Sequence, residues 1–90
     1  MLESKIEKTV CEYAKGLGVL TYKFTGHKGV PDRIFMINGK TFFIEFKAEG
    51  KKPTQLQRKT MMDIVNHKIP CYVCDTIESG KMVIDSFAHR

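Results

Sequence analysis

Asn38-Gly39 constrains this chain more than any other feature. It joins two apolar runs of strand length, Arg33 to Ile37 and Thr41 to Ala48. A two-residue Asn-Gly connection favours the tight turn whose twist matches an antiparallel hairpin. The turn also sets the register: Ile37 pairs with Lys40, and counting outward along both strands brings Asp32 opposite Glu45. Side chains alternate along Thr41-Phe42-Phe43-Ile44-Glu45-Phe46-Lys47, so Phe43, Glu45 and Lys47 share one face and Phe42, Ile44 and Phe46 the other. Both faces carry aromatic or aliphatic bulk, which places the strand between two covering layers. Glu45 and Lys47 are then drawn at least partly out of water, where a lone charge costs several kcal/mol. They must pair with each other or hold something.

The rest of the chain supplies those layers. Ile6, Val10, Tyr13, Ala14 and Leu17 recur at helical spacing, which predicts a helix from Ser4 to Leu17 with Ser4 and Glu7 in the form of a capping box. Gly16 and Gly18 end it. Val19 to Thr25 reads as a strand with Leu20, Tyr22 and Phe24 on one face. A flexible basic loop, Gly26-His27-Lys28-Gly29, follows. Thr54 opens a second helix that runs to Asn66, with Gln57 three residues on in capping-box position and Leu56, Thr60, Met61 and Ile64 facing inward. Cys71 to Asp75 and Lys81 to Asp85 read as short strands around a Glu78-Ser79-Gly80 turn. The expected order is αβββαββ, a mixed sheet flanked by helices in the α/β class, forming one domain over residues 1–90.

Composition narrows the class. With 42% hydrophobic and 28% charged residues the chain is globular rather than disordered. No apolar run reaches the length of a membrane span and the N-terminus does not read as a signal peptide. Three cysteines with no second pair to complete a zinc site read as reduced packing thiols of a cytoplasmic protein. A net charge of +5 points to a polyanionic partner. A domain of this size leaves little stability to spare, so a homodimer is expected.

The hairpin register carries the chemistry. Asp32 follows Gly29-Val30-Pro31, a proline-stiffened turn, and its carboxylate and that of Glu45 point to the same face with Cβ atoms about 5 Å apart. Two such carboxylates repel unless a cation lies between them. Hard oxygen donors beside a lysine suit Mg²⁺ or Mn²⁺. The first helix offers a further acid: Glu3 projects along its apolar stripe and Glu7 lies at the stripe's edge, so either could reach the sheet. Gln57, inward on the second helix, needs partners, either in the cap or at a metal-bound water or phosphate. Lys23, His27, Lys28, Arg33, Lys51, Lys52 and Arg58 lie in loops and at element ends around these residues and form a candidate nucleic-acid surface. A non-catalytic basic nucleic-acid-binding module, with Glu45 and Lys47 as a structural ion pair, is the competing reading.

Gly29-Val30-Pro31-Asp32-Arg33 followed by Phe43-Ile44-Glu45-Phe46-Lys47 resembles the PD-(D/E)xK nuclease signature, a Pro-Asp before one strand and Glu-x-Lys on the next. Glu3-Ser4-x-Ile6-Glu7, Tyr22-Lys23-Phe24 and Lys52-Pro53-x-x-Leu56-Gln57 extend the likeness to the virus-type replication-repair nuclease (VRR-NUC) domain, from Glu3 to Asp75. The resemblance implies a restriction-endonuclease-like core, Mg²⁺ or Mn²⁺ dependence and hydrolysis of DNA phosphodiesters with no small-molecule cofactor. It also implies a homodimer acting on branched DNA in a bacterial or phage-infected cell. It assigns Asp32 and Glu45 as metal ligands, Lys47 as the catalytic lysine, Glu3 as the first-helix acid and Gln57 as the late glutamine. On that assignment the backbone carbonyl of Phe46 joins the ligands.

Overall fold

A computed structural model of the protein describes residues 1–89, and the hairpin is its organising element. Asn38 and Gly39 both adopt positive φ, 49° and 79°, the left-handed pair that a type I′ connection requires. Strand β2 (Arg33–Ile37) folds back on β3 (Lys40–Phe46) with Ile37 opposite Lys40 and Arg33 opposite Ile44. Continuing that register by one residue brings Asp32 level with Glu45. Strand β1 (Leu20–Lys23) pairs antiparallel with β2, and β4 (Cys71–Cys74) pairs parallel with β3, giving one sheet in the order β1-β2-β3-β4.

Helix α1 (Glu3–Gly16) and helix α3 (Ile77–Ala88) cover one face of this sheet. Ile6, Val10, Ala14 and Ile84 meet Phe35, Phe42, Ile44 and Phe46 there in a dry core. The Phe42 ring is stacked between Phe35 and Phe87, with ring centres 5.1 and 4.0 Å away. Helix α2 (Gln55–Asn66) lies on the other face. It packs toward β4 and leaves the β1 side of that face open. Leu20 and Tyr22 are accordingly 48% and 56% exposed, although their alternation with buried Thr21 is the one expected. On the second helix Met61 is buried as expected, whereas Leu56, beside Gly29, is half exposed.

The expected strand at Cys71 to Asp75 is present as β4, and the turn and strand expected after it are corrected. Residues 77–88 form one helix rather than a turn and a strand, so the order is αβββαβα. Thr76 caps this helix by accepting the Ser79 N–H, and Gly80 is buried rather than part of a surface turn. A Cβ on Gly80 would lie 2.4 Å from Val10 Cγ2. The glycine therefore marks the close crossing of α1 and α3, and not a chain reversal. The five residues Lys81 to Asp85 alone fit either period; it is the α1 surface that makes the helical period the one that buries Ile84. The expected capping box on the first helix is also absent. Leu2 is the N-cap with no side-chain cap, and the Glu7 carboxylate is used elsewhere.

Candidate active site

The end of β3, the loop before β2 and the first turns of α1 and α2 meet at one pole of the sheet. Glu45, near the end of β3, is only 1% exposed. Its Oε2 accepts a hydrogen bond from Gln57 Nε2 at 2.9 Å and lies 3.3 Å from Lys47 Nζ. Its Oε1 is buried with no hydrogen-bond partner among the described residues. Buried carboxylate oxygens are nearly always satisfied, so this asymmetry marks a position built for something else.

Asp32 stands beside it. Its Oδ2 accepts the Phe46 N–H at 2.8 Å, and its main-chain oxygen accepts the Phe24 N–H at 2.8 Å, so both the side chain and the backbone of Asp32 are held. In an extended strand the N–H and C=O of one residue point to the same side, and the Phe46 carbonyl therefore also faces the Asp32 side of β3. Burial pushes the Glu45 carboxyl above the ordinary carboxylate range, and the charges of Asp32 and Glu3 push it further, against the pull of Lys47. Burial likewise raises Asp32, and the Glu7 charge adds to it. The Phe46 N–H, Lys23 and Lys47 oppose the rise without reversing it. Two carboxylates that each resist ionising hold protons more tightly than ordinary carboxylates do, and a cation placed between them would offset that.

Gln57 takes the capping role and also bonds Glu45 itself, a contact the sequence did not indicate. Thr54 caps α2 by accepting the Gln57 N–H, Gln57 Oε1 accepts the Thr54 N–H, and Gln57 Nε2 still reaches Glu45. The capping box thus fixes the rotamer that delivers the amide to the carboxylate. Glu3, in the first turn of α1, is exposed; its influence on Glu45 is electrostatic. No group of three His, Cys, Asp or Glu side chains among the described residues forms a ready metal cluster. A cation here would rest on two carboxylates, a backbone carbonyl and water, with Glu3 at the margin.

Of the basic residues, His27, Lys28, Lys51, Lys52 and Arg58 are exposed around this pole, in the loop before β2, the β3–α2 loop and the start of α2. Lys23 and Arg33 are engaged instead by Glu7. Its Oε2 accepts from Lys23 Nζ at 2.9 Å and from Arg33 Nε at 2.8 Å. This clasp was not foreseen. Its signal lay in the register, since Lys23 and Arg33 stand directly opposite each other on β1 and β2, and like charges so placed need an anion.

The four-stranded α/β sheet has Pro-Asp before one strand and Glu-x-Lys on its hairpin partner, the arrangement that the resemblance to PD-(D/E)xK nucleases implies. No family model matches the chain. A solved VRR_NUC domain superposes with a TM-score of 0.85 over 94% of this chain and 96% of that one, at 24% identity, and shows the same fold. The protein named "Putative nuclease p44", from Acyrthosiphon pisum secondary endosymbiont phage 1, is 39% identical over 72 residues, covering 74% of this chain and 77% of that protein. The chain belongs to the same family as that phage protein, and its fold is that of the VRR_NUC domain.

Proposed function

We propose that the protein is a Mg²⁺- or Mn²⁺-dependent deoxyribonuclease that hydrolyses DNA phosphodiester bonds, acting as a homodimer on branched DNA. The observation that carries the metal site is the partnerless, buried Oε1 of Glu45 beside a second carboxylate that resists ionising. Asp32, Glu45 and the Phe46 carbonyl would hold the ion, with Glu3 reaching it through water. A bound divalent ion supplies a polarised phosphate and a water of lowered pKa. Lys47 then has the compact ammonium needed to orient that water or to meet charge developing on phosphorus. Gln57 keeps Glu45 Oε2 turned away, leaving Oε1 for the ion. The exposed cations around the pole would track the DNA backbone.

For the dimer, Met62 and Val65 on α2 are exposed together with Leu20 and Tyr22. Each is an apolar side chain that one copy leaves uncovered and a second copy could bury. A cytoplasmic place of action goes with a DNA substrate, and no helix among the described residues is long and apolar enough to cross a membrane.

The test is cleavage of plasmid, flap, splayed and four-way junction DNA with Mn²⁺, with sedimentation run on the same samples. Asp32→Asn and Glu45→Gln should each abolish cleavage while preserving the circular dichroism spectrum and DNA binding. If both variants cut normally, the acids are structural and the chain acts as a binding module. A monomer at tens of micromolar, with and without DNA, would remove the dimer.

A further inference from the structure

We propose that Glu7 is a positioning residue of the metal site: it neutralises Lys23 and Arg33, which would otherwise set two uncompensated positive charges beside the carboxylates that must hold a divalent cation. The inference rests on the metal-dependent reading above. Glu7 is 9% exposed and lies on α1 one turn beyond Glu3. A single oxygen, Oε2, takes both donors, at 2.9 and 2.8 Å. These donors are held by the main chain that also holds Asp32, because Arg33 follows Asp32 directly and Lys23 precedes Phe24, whose N–H binds the Asp32 carbonyl.

The electrostatics run both ways across this small region. Lys23 lowers the proton affinity of Asp32 and Glu7 raises it, and Asp32 in turn stabilises the Arg33 guanidinium. The four groups therefore share one local field. Lys23 and Arg33 hold Glu7 itself ionised against the cost of its burial. With Glu7 charged, this cluster adds one net positive charge next to the acids; with Glu7 neutral it adds two. As an order of magnitude, a unit charge about 8 Å from a divalent cation in a water-like dielectric weakens its binding about fivefold, and an effect of that size is expected if the cluster lies at such a separation. The same change favours DNA, because it frees the half-exposed Lys23 ammonium for a phosphate.

A helix-docking role alone predicts otherwise. Loss of a purely structural ion pair would loosen α1 and weaken metal and DNA binding together. Charge balance predicts opposite signs, and it predicts that removing one of the cations restores the metal.

Calorimetric titration of the metal-free protein with Mn²⁺, and binding of a duplex without metal, read both quantities directly. Glu7→Gln should bind Mn²⁺ about fivefold more weakly and duplex DNA a few-fold more tightly. Glu7→Gln/Lys23→Gln should return the Mn²⁺ affinity to within about twofold of wild type. Should the single variant fail to fold, the double variant is compared with Lys23→Gln, against which it should bind Mn²⁺ about fivefold more weakly. Mn²⁺ affinity unchanged on loss of the Glu7 charge, or metal and DNA affinities falling together, overturns the proposal while leaving the nuclease reading intact. A wild-type titration no different from that of Asp32→Asn overturns the metal site, and the proposal with it.

Discussion

The two faces of the sheet are built on different terms. On the face covered by α1 and α3, Phe42, Ile44 and Phe46 alternate into a core that contains Phe35, Ile6, Val10 and Ile84 and no unpaired charge. On the other face the same strand offers Phe43, Glu45 and Lys47 to a single helix that covers only part of it, with Leu20 and Tyr22 left open. A carboxylate as buried as Glu45 would be a defect on the first face. On the second it sits at the pole where the loop before β2 and the first turn of α2 meet, and the proposed cation would complete it. One strand can therefore serve stability and chemistry at once, because period-two alternation sends consecutive residues to opposite layers.

The largest expected effect breaks the first face. Phe42→Ala empties the space between two stacked rings and should cost about 3–5 kcal/mol, a large share of what a domain of this size has. Glu45→Gln, three residues along, should change the metal-free stability by no more than about 1 kcal/mol, since it removes a desolvated charge that Asp32 repels while keeping the side chain's shape. Urea denaturation of both variants makes the comparison. Equal losses would mean that the site residues also carry the fold.

A smaller effect separates charge from chemistry on the second face. Lys47→Arg keeps the positive charge near Glu45 and should leave DNA affinity within a few-fold. Its planar guanidinium cannot place one compact ammonium, so the cleavage rate should fall by roughly 10², about 2.7 kcal/mol of barrier. Single-turnover cleavage measures it, and a normal rate would reduce Lys47 to a counter-charge for Glu45.

The smallest effect is a pH dependence confined to the acid pair. Asp32 and Glu45 are raised above their ordinary values of 3.8 and 4.5, so between those values and the raised ones the folded state binds more protons than the unfolded state. Each therefore makes stability fall as pH rises through that window, and the penalty is constant above it. Glu7, lowered below 4.5, acts in the opposite sense: its contribution is present above its ordinary value and is lost as pH falls through its lowered one. The stability of metal-free Asp32→Asn relative to wild type should accordingly rise as pH increases from about 4 toward neutrality and then level off. A difference that stays flat with pH would mean that Asp32 ionises without penalty. Mn²⁺ binding should weaken on acidification at a pH above the ordinary carboxylate range, as protons compete for the same oxygens.

Much of the site was legible because it hangs on one local device. Asn38-Gly39 sets its own backbone, the turn sets the register, and the register places Asp32 level with Glu45 on the face shared with Lys47. None of these steps needs information from beyond the hairpin. The Thr54–Gln57 capping box is equally local, being written in four consecutive residues, and it brings Gln57 to the acid.

Tertiary structure decided what local signals leave open. Whether residues 77–88 are a helix or a turn and strand depends on the α1 surface that Gly80 meets at Val10, a contact between segments some seventy positions apart in the chain. Whether Glu7 caps its own helix or clasps Lys23 and Arg33 depends on where α1 crosses the sheet. Whether Leu20 and Tyr22 are core or surface depends on how far α2 extends across its face. Turn geometry and strand alternation are properties of neighbouring residues, whereas burial and charge pairing belong to whichever distant segment packs alongside.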